Sequence, residues 1–181
     1  MRIKSRWHKK DKPKSVEEIA GALAFIAWRI GFNVVKEMQS KDFFFGSDAT
    51  RLAVIGEFLA FLIQVADRLA YDRMPDEQRQ RFVTTLALRL ADTMADNKTD
   101  VLGPGDYRRP FVENLNRRLE DYSEFQFADG RPSYQFCAYL GRMINETIGG
   151  EDNKWVVEQV AEVEAPEAVD MLKKGMGNLF E

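Results

Sequence analysis

Apolar residues recur at three- and four-residue steps along most of the chain, which is the spacing of α-helices that bury one face. The first such stretch opens with a capping box, in which Ser15 and Glu18 can each bond the other residue's backbone N–H. We predict a first helix from there to about Gln39. It is apolar on most sides, and such a helix usually lies at the centre of a bundle or in a subunit interface.

One face of this helix consists of small residues, namely Ala20, Ala24, Ala27 and Gly31. Small side chains at this spacing let another helix approach closely. We therefore predict that the four residues contact a partner, which we expect to be a second copy of the chain, so that the protein is a homodimer. The alternative is that they pack inside the bundle, where a bulkier residue would lower thermal stability.

Turn-forming residues separate the further predicted helices. The second runs from about Ala49 to Arg73, and the third opens at Pro75, because proline suits the first turn of a helix. Gly103-Pro104-Gly105 cannot continue that helix. The remaining predicted helices cover about 107–122, a segment ending at Gly149-Gly150, about 152–164, and a short stretch from Pro166 to Gly175. In the helix over 152–164, the predicted inward residues are Trp155, Val156, Val160 and Val163.

These elements predict an all-α fold, an irregular bundle of about six or seven helices in a single domain over residues 15–181. The segment 98–106 is a candidate internal break, but each half alone would bury little surface, which favours one domain. No long alternation of apolar and polar residues predicts a substantial sheet. A short extended piece over 125–127 leads into a turn at Asp129-Gly130.

Charge is distributed unevenly, because residues 1–14 are strongly basic while the chain as a whole has a net charge of −3. We predict a solvated, disordered leader. Its alternative role is to contact an anion such as nucleic acid, although the acidic body makes nucleic acid the less favoured partner. The cations concerned are Arg2, Lys4, Arg6, Lys9 and Lys10.

The leader and the apolar run 19–28 together resemble a secretory signal, but Glu17, Glu18 and Arg29 oppose that interpretation. The run is also shorter than the roughly 18 apolar residues of a spanning helix. We therefore predict a cytoplasmic protein without a membrane span.

Groups for catalysis and metal binding are scarce in a chain of 181 residues with one histidine and one cysteine. His8 lies in the leader, and Cys137 lies among aromatic residues that favour a buried, inert thiol. The sequence contains no phosphate-binding glycine loop and no serine-nucleophile motif. We predict no catalytic residue, no cofactor and no metal, and an enzyme is the least favoured class.

Three other features remain open to a structural or a functional interpretation. Glu57 is either a buried functional carboxylate or, as its spacing to Gln64 and Arg68 favours, part of an exposed polar stripe. The loop with Phe43, Phe44 and Phe45 either folds back and caps the end of the bundle, which is the favoured interpretation, or exposes at least one ring that could contact a partner. The aromatic cluster of residues 122–139 either lines a ligand pocket or is plain core, and its members are Tyr122, Phe125, Phe127, Tyr134, Phe136 and Tyr139.

Three functions follow from these predictions. The first is a non-enzymatic, self-associating interaction protein. The second is a binder of a small apolar ligand, held near the aromatic cluster. The third is a nucleic-acid accessory protein that acts through its basic leader.

Overall fold

The computed structural model describes residues 12–149 and 155–181, and it is an all-α bundle, as the periodicity predicts. A two-stranded hairpin, β1 (Phe127–Ala128) and β2 (Arg131–Pro132), joins two of its helices. The helices are α1 (Val16–Ser40), α2 (Asp48–Ala70), α3 (Asp76–Leu102), α4 (Arg108–Ser123), α5 (Tyr134–Ile148), α6 (Val156–Gln159) and α7 (Ala165–Phe180), with a π-helical segment (Val160–Glu164) between the last two.

The capping box at the start of α1 is confirmed. Ser15 Oγ accepts the Glu18 backbone N–H at 3.1 Å, and Glu18 Oε2 accepts the Ser15 backbone N–H at 2.7 Å. Two of the free donors at the helix start are thereby satisfied, so the helix begins where the sequence predicts.

The central helix of the bundle is α2, which contacts α1, α3, α4, α5 and α7. Every residue from Val54 to Ala66 in α2 is buried. By contrast, α1 packs one face against α2, α3 and α7 and leaves the opposite face exposed. A mostly apolar helix usually lies at the centre of a bundle or in a subunit interface, and α1 does not lie at the centre.

The C-terminal region differs from the prediction, because α6, the π-helical segment and α7 follow one another without a break. Pro166 lies in the first turn of α7 and has no N–H to donate to the preceding turn. The Ala165 N–H instead bonds the Val160 carbonyl, five residues back. This wider turn changes the inward-facing positions, and the helix then continues past Gly175 to Phe180.

Two of the four predicted inward residues, Val156 and Val160, are buried as predicted, and the other two predictions are wrong. Trp155 is exposed and Val163 only half-buried, whereas Glu164 is fully buried. The widened turn places the carboxylate where the regular period would have placed the valine.

The predicted turn at Asp129-Gly130 is confirmed as the tip of the hairpin. Both residues have positive φ, 53° and 70°, which is the conformation that a two-residue turn between antiparallel strands requires.

The segment 98–106 ends α3 and turns the chain so that α4 packs on α2 and α3. The buried hydrophobic residues on its two sides belong to one cluster.

Candidate functional site

The exposed face of α1 carries two large aromatic side chains. Phe25 is 64% exposed and Phe32 is 49% exposed. They lie on a row of residues separated by alternating steps of four and three, which follows one line along the helix. We call this row the outer stripe, and its members are Glu18, Ala22, Phe25, Arg29, Phe32 and Lys36.

The surroundings of the outer stripe leave room for another helix. A Cβ at the neighbouring Gly21 would meet no heavy atom within 4 Å. Trp28, on the same edge, is only half-buried. The Arg29 guanidinium carbon lies 5.7 Å from the Phe25 ring centroid, so the cation and the ring already form one polar and aromatic surface.

The small residues that the sequence places on a partner surface are instead inside the chain's own core. Ala20, Ala24, Ala27 and Gly31 are all buried. A Cβ at Gly31 would lie 3.5 Å from Ile55 Cγ2 of α2, at ordinary contact distance. The alternative interpretation therefore fits these residues, because they let α1 pack closely in its own bundle.

The three consecutive phenylalanines separate into two environments. Phe43 and Phe45 are buried, whereas Phe44 is 76% exposed, so two rings fit the interpretation that the loop folds back on the bundle and one ring is on the surface. The Phe43 ring packs against Trp155, with 4.1 Å between the centroids. Only Phe44 is therefore available to a partner.

The basic side chains proposed to contact an anion, Arg2, Lys4, Arg6, Lys9 and Lys10, lie outside the described residues. The nucleic-acid hypothesis accordingly stays a prediction.

Glu57 is buried at the centre of α2, so the prediction that it belongs to an exposed polar stripe is wrong. Arg118 of α4 binds it through two bonds, from Nε to Oε2 at 2.8 Å and from Nη2 to Oε1 at 3.1 Å. Asn114 donates a third bond to Oε1 at 3.2 Å. Because both carboxylate oxygens accept bonds from donors on α4, Glu57 ties that helix to the central helix.

Two tyrosines complete the surroundings of this ion pair. Tyr139 of α5 donates to Asp121, and Arg118 Nη1 lies 3.5 Å from the Tyr139 hydroxyl. Burial, followed by the bond to Asp121, raises the pKa of Tyr139 to about 12. Burial also raises the pKa of Tyr122 well above its ordinary value, with Glu57 adding to the effect.

The aromatic cluster of residues 122–139 has the contacts of a packed core. Tyr122 stacks on Phe136 with 4.7 Å between centroids, and Phe61 of α2 meets both rings edge-on. Burial raises the pKa of the neighbouring Cys137 thiol to about 11, as expected for an inert cysteine. These ring contacts favour the plain-core interpretation, and Tyr134 is the exposed member.

A cleft of about 700 Å³ lies between the end of α2 and the hairpin, with Phe127 on its wall. Four cations and three carboxylates line it, the latter from Asp67, Asp72 and Asp129, and Arg79 forms an ion pair with Asp67 at 2.7 Å. Arg68 donates to backbone carbonyls, including that of Ser123. The cleft also contains the uncharged wall residues Leu69 and Tyr71 and the cations Arg73 and Lys173.

A second buried carboxylate, Glu164 of the π-helical segment, has an ion-pair partner. Lys41 Nζ donates to its Oε1 at 2.8 Å, and this bond raises the pKa of Lys41. Glu37 and Glu167 lie close enough for one oxygen of each to share a cation with Glu164. Within this group Lys41 pairs with Glu164, and among the described residues Oε2 of Glu164 has no hydrogen-bond partner.

By length and composition, α1 and α2 could each cross a membrane. Core helices of globular proteins meet the same criterion, and 78% of the apolar window in α2 is buried inside the chain. The cytoplasmic location and the absence of a membrane span therefore stay predictions.

Comparison of the chain with protein-family models, with curated proteins and with solved structures finds no match.

The sequence interpretation missed the outer stripe as a separate surface. The alternating steps of four and three from Glu18 to Lys36 were available as a signal. They did not distinguish this row from the other apolar rows of α1, because all sides of that helix carry apolar residues.

Proposed function

We propose that the protein is a non-enzymatic helical interaction protein that forms a homodimer through the outer stripe of α1. The observation that carries the proposal is the exposure of Phe25 and Phe32 on one line of a helix whose opposite face is buried. Removing two phenylalanine rings from water on each copy is a substantial driving force for association. Exposed apolar patches of this kind mark contact surfaces.

The environments of the chemically capable side chains support a non-enzymatic role. Glu57 is fully engaged by Arg118 and Asn114, and the Cys137 thiol is buried with a raised pKa. Both groups serve the packing of the bundle, so the most distinctive accessible feature is the outer stripe with its two exposed phenylalanine rings.

The test is sedimentation equilibrium of the full-length protein across micromolar concentrations. We expect a dimer, and we expect the double substitution Phe25→Ser with Phe32→Ser to weaken it by at least about a hundredfold, since each buried ring contributes roughly 1.5–3 kcal/mol. A matched control is Phe44→Ser, which removes a still more exposed ring outside α1 and should leave the dimer unchanged.

The result that overturns the proposal is a strict monomer at all concentrations tested. A dimer that resists the double substitution would also overturn it, because the contact would then lie elsewhere.

A second candidate function is the binding of a small anionic molecule in the cleft beside the hairpin. Among the described residues, Arg79 has a carboxylate partner in the cleft, whereas Arg73 and Lys173 form no ion pair there. Leu69, Tyr71 and Phe127 offer apolar contact to the rest of such a ligand. This ligand differs from the small apolar molecule that our second hypothesis places near the aromatic cluster.

A native mass spectrum of the purified protein tests this candidate, together with a thermal-shift panel of phosphate and carboxylate compounds. We expect a stabilising compound whose effect is lost in Lys173→Ala and retained in Lys174→Ala, which changes the next lysine outside the cleft. No bound mass and no shift with any compound would contradict it.

A further inference from the structure

The chemistry of the outer stripe is self-complementary when the helix is reversed. Three pairs of its residues are equidistant from sequence position 27, and each pair joins unlike partners. The pairs are Phe25 with Arg29, Ala22 with Phe32, and Glu18 with Lys36.

We propose that two copies of α1 pack antiparallel about a two-fold axis at position 27, an arrangement that rests on the proposed function. The two-fold axis then forms each pair twice, once from each copy. The alternating steps of four and three are the spacing at which two helices stay in contact along a seam. The partner of the outer stripe is thus the same stripe of a second copy.

Charge decides between this arrangement and a parallel one. In the antiparallel arrangement, Glu18 of each copy lies opposite Lys36 of the other, so the two ends of the contact attract. In a parallel pair, Glu18 would face Glu18, Arg29 would face Arg29, and Lys36 would face Lys36. Like charges directly opposite each other oppose association, so the parallel pair is disfavoured at three levels.

The centre of the contact favours the same arrangement. Arg29 already lies over the Phe25 ring of its own chain at 5.7 Å. In the antiparallel pair, Phe25 of the second copy approaches that guanidinium from the other side, which extends the cation–π contact.

Side-chain size also matches. Each Phe32 ring lies opposite the small Ala22 of the other copy, next to Gly21, where the surface has free space. A large side chain facing a small one lets two helices interlock without a void.

Distances between paired spin labels test the arrangement in the full-length dimer. Asn33→Cys and Ser40→Cys place labels on the exposed side of α1 beside the stripe. Cys137 is buried and is replaced by alanine in both variants. With a rise of 1.5 Å per residue, the antiparallel pair separates the two Asn33 labels by about 18 Å and the two Ser40 labels by about 39 Å along the axis.

A parallel pair would instead give similar separations at both positions, and that outcome overturns the arrangement while leaving the dimer through this stripe intact. No dimer at all is the separate outcome that contradicts the proposed function. Label distances that place α1 of the two copies out of contact overturn both the arrangement and the proposed function.

Charge reversal supplies an independent test by sedimentation. We expect Lys36→Glu and Glu18→Lys each to weaken the dimer by roughly threefold to tenfold, since exposed ion pairs contribute modestly. The two substitutions in one chain restore unlike pairs in the antiparallel dimer and should recover the affinity.

Because Glu18→Lys also removes a helix cap, circular dichroism confirms folding, and Glu18→Gln serves as the control that retains the cap. Absence of recovery in the double variant contradicts the antiparallel pairing.

Discussion

The two most apolar helices, α1 and α2, are used in opposite ways. In α2, burial extends around the whole helix from Val54 to Ala66 and includes a charged residue, Glu57. In α1, burial is restricted to one side, while Phe25 and Phe32 remain exposed on the other. The comparison shows that apolar composition does not by itself identify the core helix, since position in the bundle decides which face is covered.

The two helices also differ in how their charged residues are accommodated. Its central position is compatible with a carboxylate only because Arg118 and Asn114 supply donors at 2.8–3.2 Å. Burying a charge without such partners would cost several kcal/mol. On α1, by contrast, Arg29 and Lys36 remain in water and need no internal partner.

The largest effect should follow from breaking the buried pair. We expect Glu57→Ala to lower the free energy of unfolding by about 3–5 kcal/mol, because it removes the closest carboxylate of Arg118 and leaves, among the described residues, only Asp121, at 3.9 Å. Urea denaturation at neutral pH measures the change.

The matched control is Arg81→Ala, which removes the ion pair between α3 and Glu17 of α1. Both side chains of that pair are about half-exposed, so the expected loss is under about 1 kcal/mol. Equal losses in the two variants would show that the buried and exposed pairs do not differ as described.

Stability should fall at alkaline pH because two ionisable side chains of α5, Cys137 and Tyr139, have raised pKa values. Burial raises the pKa of Cys137 to about 11, so the folded protein keeps this proton where the unfolded chain releases it. The unfolded state then binds fewer protons, and stability falls as the pH rises from about 9 to about 11, by roughly 2–3 kcal/mol. Tyr139, with its pKa raised to about 12, extends the loss to higher pH.

Urea denaturation at pH 8 and pH 11 measures the effect, and Cys137→Ala should remove the part that begins near pH 9. The same free energy of unfolding at both pH values in the native chain would contradict this prediction.

The two faces of α1 should respond differently to the same substitution. Ala24→Leu overfills the contact with the bundle, so we expect a loss of about 1–3 kcal/mol in stability and a nearly unchanged dimer. Ala22→Leu lies on the outer stripe, so it should weaken the dimer and change the stability of the isolated chain by less than about 0.5 kcal/mol.

Thermal denaturation and sedimentation equilibrium together measure both quantities. The reverse result, a weaker dimer in Ala24→Leu alone, would return the contact surface to the small residues of α1.

Much of the fold could be predicted because the relevant signals are local. The capping box at Ser15 fixes the start of α1, and the Asp129-Gly130 turn fixes the hairpin. The helix boundaries of the C-terminal region were harder to predict, because Pro166 could either end the helix or widen one of its turns. The widened turn changes the inward side and buries Glu164.

The candidate site was less predictable than the fold. The sequence contains both rows of α1, the small residues around Ala24 and the outer stripe around Phe25. Each row can pack against a helix, and nothing within α1 determines which one meets α2. The same limit applies to Glu57, whose donors Asn114 and Arg118 lie more than 50 residues away along the chain.

The sequence by itself determined which segments are helical, where most of them begin and end, and that the fold is all-α, because periodicity, caps and turns act over a few residues. Only the tertiary structure decided that α2 is central, that α1 exposes its aromatic row, and that Glu57 is paired. These outcomes depend on contacts between distant segments, since burial is a property of the neighbours that a residue meets.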